Sequence, residues 1–228
     1  MEQHRLLPNS IDEVVARMQA IASGLPESDG VACFNRMYLQ VTELVRARVA
    51  DGFFADAALM TRLDVVFASF YLAAVGAGQA VPPSWAPLIE QRQSPRILPI
   101  QFALAGMNAH INHDLALAVF TTCRQTNTPP DQIHADYLRI NELLASVEEP
   151  VRQSFLSGAA AKVDRDLSPV IHVIDSWSID RARDAAWANA EALWTMRTLD
   201  NVRTTFLDAL GRMVSFASRA LLVPARLP

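Results

Sequence analysis

The chain has 228 residues, 51% of them hydrophobic and 19% charged, with a formal net charge of −4. That length suits one large domain with a sizeable core, and a pI of about 5.7 offers no basic field to attract nucleic acid. Cys33 and Cys123 lie far apart and fit neither a disulfide scaffold nor a zinc ribbon, so they read as buried thiols of a reducing compartment.

Residues 1–9 read as a tail without the apolar core of a secretory signal, and the expected location is cytoplasmic. Asn9-Ser10 predicts a helix N-cap, with Glu13 at the capping-box position and Val14, Met18 and Ile21 at helical spacing. Gly24-Leu25-Pro26 ends that helix. A second is expected from about Val31 to Val49, stopped by Asp51-Gly52, after which Phe53 and Phe54 turn the chain back onto the core. Asp56 predicts the cap of a third, Ala57 to Val75. The run from Val65 to Ile89 has no charge and raises the question of a membrane span. Gly76, Gly78, Pro82, Pro83 and Pro87 interrupt it, so the expectation is a buried helix and a Pro-rich connection, 82–99, with no stable membrane insertion.

A fourth helix is expected over about 100–123, closed by Thr128-Pro129-Pro130, and a fifth from an Asp131 cap to about Ser146. Shorter pieces are expected across Pro150 to Asp175. Two long helices follow, about Ile179 to Thr198 and Asn201 to Leu222, before a tail at 223–228. No alternating β-branched run and no Gly-rich strand–turn–helix signature occurs. The fold class is therefore all-α, a single-domain bundle of about seven to nine helices around the buried helix 100–123.

That central helix carries polar residues where an apolar helix tolerates few. There is no charge from Ile97 to Ala109, yet Asn108, His110, Asn112, His113 and Asp114 follow in close succession. At about 100° per residue, His110, His113 and Asp114 share one arc, with the small Ala103 and Gly106 on the same side. Gln101, Asn108 and Asn112 project oppositely. An unsatisfied buried polar group costs about 1–3 kcal/mol, so each needs a partner. Three readings stand side by side. The residues form a structural network, with Asp114 paired to an arginine. Or His110, His113 and Asp114 ligate a divalent metal such as zinc or iron. Or they work metal-free, Asp114 orienting a histidine as acid and base. The His-x-x-x-Asp spacing of His110 and Asp114 resembles one element of the helical zinc-dependent phospholipase C and P1 nuclease family. Its Gln-Pro-Leu-His continuation and N-terminal tryptophan ligand are absent here.

Between Trp177 and Trp194, Asp180, Arg181, Asp184, Trp187, Glu191 and Trp194 share one broad helical face, and Ala182, Ala185, Ala186, Asn189 and Leu193 the other. The Ala-rich side suits close helix packing. With the Trp face inward, Glu191 would complete a metal site, and Asp184 and Trp187 would hold substrate beside Asn108 and Asn112. The alternative is a Trp stripe as ordinary core with the carboxylates snorkelling at its edge, or ion pairs along the helix such as Asp180 with Arg183. His134, His172 and His4 match no ligand pattern, and Asp64, on an otherwise apolar helix, is the next carboxylate to pair with the histidines.

Four segments, GVACFNRMYLQVT from Gly30, DGFFADAALMTRLDVVFASFYL from Asp51, QFALAGMNAHINHDLALAV from Gln101 and RARDAAWANAEALW from Arg181, resemble an uncharacterised, largely actinobacterial family, domain of unknown function 5995. The resemblance spans nearly the full length. It implies a cytoplasmic helical protein of bacteria rich in specialised metabolism, and it carries no catalytic assignment.

The expected function is an enzyme acting on a mostly apolar small molecule inside the bundle. His110, His113 and Asp114 would serve as metal ligands for hydrolysis, with Glu191 or Asp184 assisting. The alternatives are a metal-free cyclase or isomerase using a His–Asp pair, and a non-catalytic ligand-binding or interaction module. An oligomer is left open.

Overall fold

Ser10 begins the first helix, its hydroxyl accepting from the Glu13 N–H while the Glu13 carboxylate reaches the Asn9 N–H. The computed structural model describes residues 8–76, 80–144 and 178–224, and among them every regular element is helical. Helix α1 covers Ile11–Gly24, α2 Gly30–Ala50, α3 Ala57–Val75, and α4 the short Ala86–Gln91 within the Pro-rich connection. Helix α5, Pro99–Ala109, continues through a π-helical turn, His110–Leu115, into α6, Ala116–Thr126. Asn127, in the left-handed region at φ 54°, ends it. Then come a 3-10 turn at Pro130–Gln132, helix α7 (134–144), α8 (Ile179–Thr195) and α9 (Asp200–Leu221). Asp131 lies in the 3-10 turn instead of capping α7, because Pro129 and Pro130 fix the chain in a tight turn first. The pieces expected across Pro150–Asp175, with His172, lie outside the described residues, as do His4, Ser146 and Trp177.

The continuous rod of α5, the π turn and α6 is the buried axis. Every residue from Ile100 to His110 is buried. Two glycines bring α2 against it. A Cβ added at Gly106 would lie 2.4 Å from the Phe34 ring, and one at Gly30 would lie 2.6 Å from the Phe102 ring. Each helix thus seats a phenyl ring on the other's bare backbone, and Phe34 is carried in beside the π turn.

On the far side, α9 is tied to α5 by polar side chains. Gln101 donates to the Leu221 and Val223 carbonyls, and Asn108 donates to the Val214 carbonyl and Ser218 Oγ. Helix α8 buries Ala182, Ala186, Ala190 and Leu193 against α6 and the π turn. Helix α3 packs on α1, α2, α6 and the π turn. By length and composition it is the one helix among the described residues apolar enough to cross a membrane. The outer face of α9 leaves Met213 and Phe216 exposed.

Candidate functional site

A π turn accommodates i→i+5 bonding and widens the helix locally, a distortion that recurs at functional sites. Here it falls on His110-Ile111-Asn112-His113-Asp114-Leu115 and gathers three donors on one carboxylate. His110 Nδ1 lies 3.2 Å from Asp114 Oδ2, and His113 Nδ1 lies 2.8 Å from Oδ1. The Trp85 indole N–H donates to Oδ2 at 2.8 Å from the Pro-rich connection. His110 and Asp114 are each 2% exposed, and His113 12%.

The electrostatics follow from these partners. Burial pushes the Asp114 carboxyl upward, but the hydrogen bonds from His110 and His113 hold it below its ordinary value. Asp114 is therefore an anionic acceptor, and the facing Nδ1 of each histidine carries its proton. For His110 burial is the larger influence and lowers its pKa, with Asp114 opposing. His110 is then neutral, protonated at Nδ1, with a bare lone pair on Nε2.

That Nε2 is buried and has no hydrogen-bond partner. Its ring is fixed by aromatic neighbours: Phe67 stacks on it at 3.7 Å between centroids, Tyr38 meets it edge-on at 4.4 Å, and Phe34 does so at 5.6 Å. Two further buried oxygens without partners come from the same neighbourhood. Tyr38 Oη makes no hydrogen bond of good geometry, and Asp64 Oδ2, one turn before Phe67 on α3, makes none either. Burial, and then the negative field of Asp64, push the Tyr38 phenol well above its usual value. Burial raises the Asp64 carboxyl to about 7. Each such atom costs about 1–3 kcal/mol when left unsatisfied. Among the described residues only Ser84 Oγ and Thr122 Oγ1 share that condition.

The remaining candidates fall elsewhere. Asn108 and Asn112 form the structural network expected of the opposite face, Asn112 donating to Asn108 Oδ1 at 2.9 Å. Trp187 stacks on His134 at 4.3 Å and packs on Tyr137 at 4.7 Å, not on the histidines of the π turn. Asp184 and Glu191 are exposed at the edge of a packed face that buries Trp187 together with Ala182, Ala186 and Ala190, and there the carboxylates keep their water. The imidazoles and the carboxylate of the π turn are hydrogen-bonded to one another instead of converging on a shared point. Among the described residues no group of three His, Cys, Asp or Glu side chains is arranged to hold a metal ion. Asp114 takes Trp85 in place of the expected arginine. Trp85 and Tyr38 escaped sequence reasoning, although a tryptophan inside an uncharged Pro-rich connection calls for an acceptor once buried.

The model of a family of unknown function, DUF5995, matches residues 11–224, a span that takes in every helix from α1 to α9. The chain belongs to this family. Comparison with curated proteins and with solved structures gives no match. Membership accounts for the full-length resemblance of the four segments and leaves the chemistry of the π turn to be argued from its own geometry.

Proposed function

We propose that this protein binds a small, mostly apolar molecule at the inner face of the π turn, and that His110 acts on it as an acid–base group without a metal. One observation carries the reading. His110 is held at Nδ1 by Asp114, walled by aromatic rings, and presents an unpartnered Nε2 in the core. A structural histidine would use both nitrogens. A base needs one nitrogen anchored and the other bare, with a counter-ion behind it to hold the imidazolium. Asp114, with Trp85 and His113 fixing its position, supplies that counter-ion. Hydrolysis on a bound cation, the first expectation from the residue types, has less support here because the three candidate ligands satisfy one another.

The test is ring-nitrogen NMR on histidine-labelled protein, with cyclohexanol as probe and methylcyclohexane as its apolar control. Cyclohexanol is expected to move the His110 Nε2 resonance toward a hydrogen-bonded position, and methylcyclohexane to leave it in place. A His110 protonated at Nε2 at neutral pH, or an Nε2 that cyclohexanol does not move, overturns the reading.

A further inference from the structure

The polar atoms around His110 divide into two sets. Most are committed: Tyr71 Oη donates to Asn35 Oδ1, Asn35 Nδ2 to the Met18 carbonyl, and the Trp85 indole to Asp114. Three are not, and they come from three different elements: His110 Nε2 on the π turn, Tyr38 Oη on α2 and Asp64 Oδ2 on α3. Phe67 links them. Its ring stacks on His110, stands 5.8 Å from Tyr38, and follows Asp64 by one helical turn. Tyr38 is 5% exposed and His110 2%. Asp64 as a residue is less deeply buried, although its Oδ2 is sealed. The Asp64 charge also reaches the Tyr38 phenol. A base and two hydroxyl-bearing groups therefore share one aromatic-walled region.

We propose that Tyr38 and Asp64 are twin hydrogen-bond donors to a carbonyl oxygen, and that with His110 they enolise an uncharged, mostly apolar ketone. The inference rests on the reading of His110 as a base in a small-molecule site, and it names the substrate class and the reaction. His110 Nε2 takes a proton from the carbon beside the carbonyl. The C–H electron pair becomes the new C=C bond, and the carbonyl π pair moves onto oxygen, where the Tyr38 and protonated Asp64 hydroxyls hold it. The imidazolium, stabilised by Asp114, then returns its proton. It goes to the same carbon, or to the far end of a conjugated C=C, while the oxygen pair reforms C=O. Nothing is oxidised or reduced, and no cofactor is consumed.

Each group suits its task. Burial holds the Asp64 carboxyl at about 7, so much of it is a donor near neutral pH. The phenol is kept protonated by the same burial. Donors fixed in a dry site before charge develops act most strongly on an oxyanion. The apolar walls, Phe34 and Phe67 among them, favour an uncharged substrate over a carboxylate or an amine.

The experiment follows hydrogen–deuterium exchange at the α-carbons of cyclohexanone in D₂O by proton NMR, with the His110 Nε2 resonance recorded in the same samples. Exchange above the buffer rate is expected with the unaltered protein. Tyr38→Phe and Asp64→Leu are each expected to slow it by about 10²-fold with little change in half-saturation, and His110→Gln to abolish it. Tyr38→Phe removes an oxygen with no hydrogen bond of good geometry, so its melting temperature should be preserved. A perturbed His110 resonance with exchange at the buffer rate overturns the enolisation and leaves the small-molecule reading standing. Exchange unaffected by Tyr38→Phe and Asp64→Leu overturns their assignment as donors. If neither cyclohexanone nor cyclohexanol perturbs His110, both readings fall.

Discussion

Asp114→Asn tests the centre of the site with the smallest change of shape. Asp114 accepts from the Trp85 indole, His110 Nδ1 and His113 Nδ1. An asparagine offers one acceptor oxygen and sets an N–H group against at least one of those donors. That donor loses its partner, at about 1–3 kcal/mol, and the bonds that remain lose their charge assistance, at about 1 kcal/mol each. Relief from burying a charge offsets part of this, so the net expectation is about 3 kcal/mol, at the lower edge of what breaking a buried ion pair costs. For a chain of this length that lowers the melting temperature by roughly 6–12 °C. Urea titration and calorimetry read the stability, and ring-nitrogen NMR reads the tautomer. The asparagine N–H facing His110 should convert Nδ1 to an acceptor and move the proton to Nε2. Acid stability should change with it. The Asp114 carboxyl is depressed in the fold, so its stabilisation is present above the unfolded value of about 3.9 and is lost as pH falls through the folded one. The variant lacks that part of the acid limb. A loss below about 1 kcal/mol with Nε2 still bare would refute the account of Asp114 as the anchor of His110.

Asp64→Asn has the opposite sign of pH dependence. A carboxyl raised to about 7 opposes folding once the unfolded chain has ionised. Stability therefore falls from about pH 4 to pH 7, and the asparagine should recover roughly 2–4 kcal/mol at pH 8 and little at pH 4, read by urea titration. His110 contributes on the acid side: with its folded pKa lowered, stability is full above the unfolded value of about 6.5 and declines as pH drops below it. A His110→Gln variant should flatten that decline in a pH series of melting temperatures. Gly106→Ala places a Cβ 2.4 Å from the Phe34 ring and should cost about 1–3 kcal/mol or more by overpacking, with Phe34 displaced from the His110 wall. Gly211→Ala is the contrast. Its Cβ meets His113 Nε2 at 3.7 Å, an ordinary contact, and mid-helix alanine should stabilise α9 by about 0.5–1 kcal/mol in thermal melts.

The fold was legible because its signals are local. Ser10 and Asp56 cap where their side chains predict, α3 spans Ala57–Val75 as its pattern predicts, and the prolines between 82 and 99 leave room only for the short α4. The site was legible in part. Uncharged sequence around His110 and Asp114 marked buried polarity, but His113, expected on their arc, has its Nε2 beside Gly211 on α9, the helix that Asn108 also binds. The π turn was not legible, since i→i+5 bonding has no residue signature of its own, and it changed how the two imidazoles meet the carboxylate. The orientation of α8 was not legible either: a face with two tryptophans and two carboxylates competes with an alanine face. Only packing against α6 decides that Asp184 and Glu191 point outward. Tyr38 and Trp85 reach the site from α2 and from the connection, through contacts between residues far apart in the chain.

A core normally removes its polar conflicts, since a half-satisfied buried network is less stable than an apolar one. This core keeps three such atoms at His110, Tyr38 and Asp64, besides single hydroxyls at Ser84 and Thr122, among side chains that otherwise find partners. Asn35, Gln101, Asn108 and Trp85 all find partners. Gln101 and Asn108 do so by binding α9, so the chain supplies acceptors where structure alone requires them. The orphaned atoms at His110, Tyr38 and Asp64 are therefore not a general deficit of partners in this bundle. Three chemically distinct groups left unpartnered around one aromatic ring, Phe67, are the pattern expected of a functional site. The particular atoms left free are a bare imidazole nitrogen, a neutral phenol and a carboxyl poised near neutrality. Replacing Tyr38 by phenylalanine should thus leave stability unchanged or raise it, whereas a merely structural hydroxyl would cost about 1 kcal/mol to remove. The sign of that single difference, measured by urea titration, separates a core that tolerates Tyr38 Oη from one that needs it.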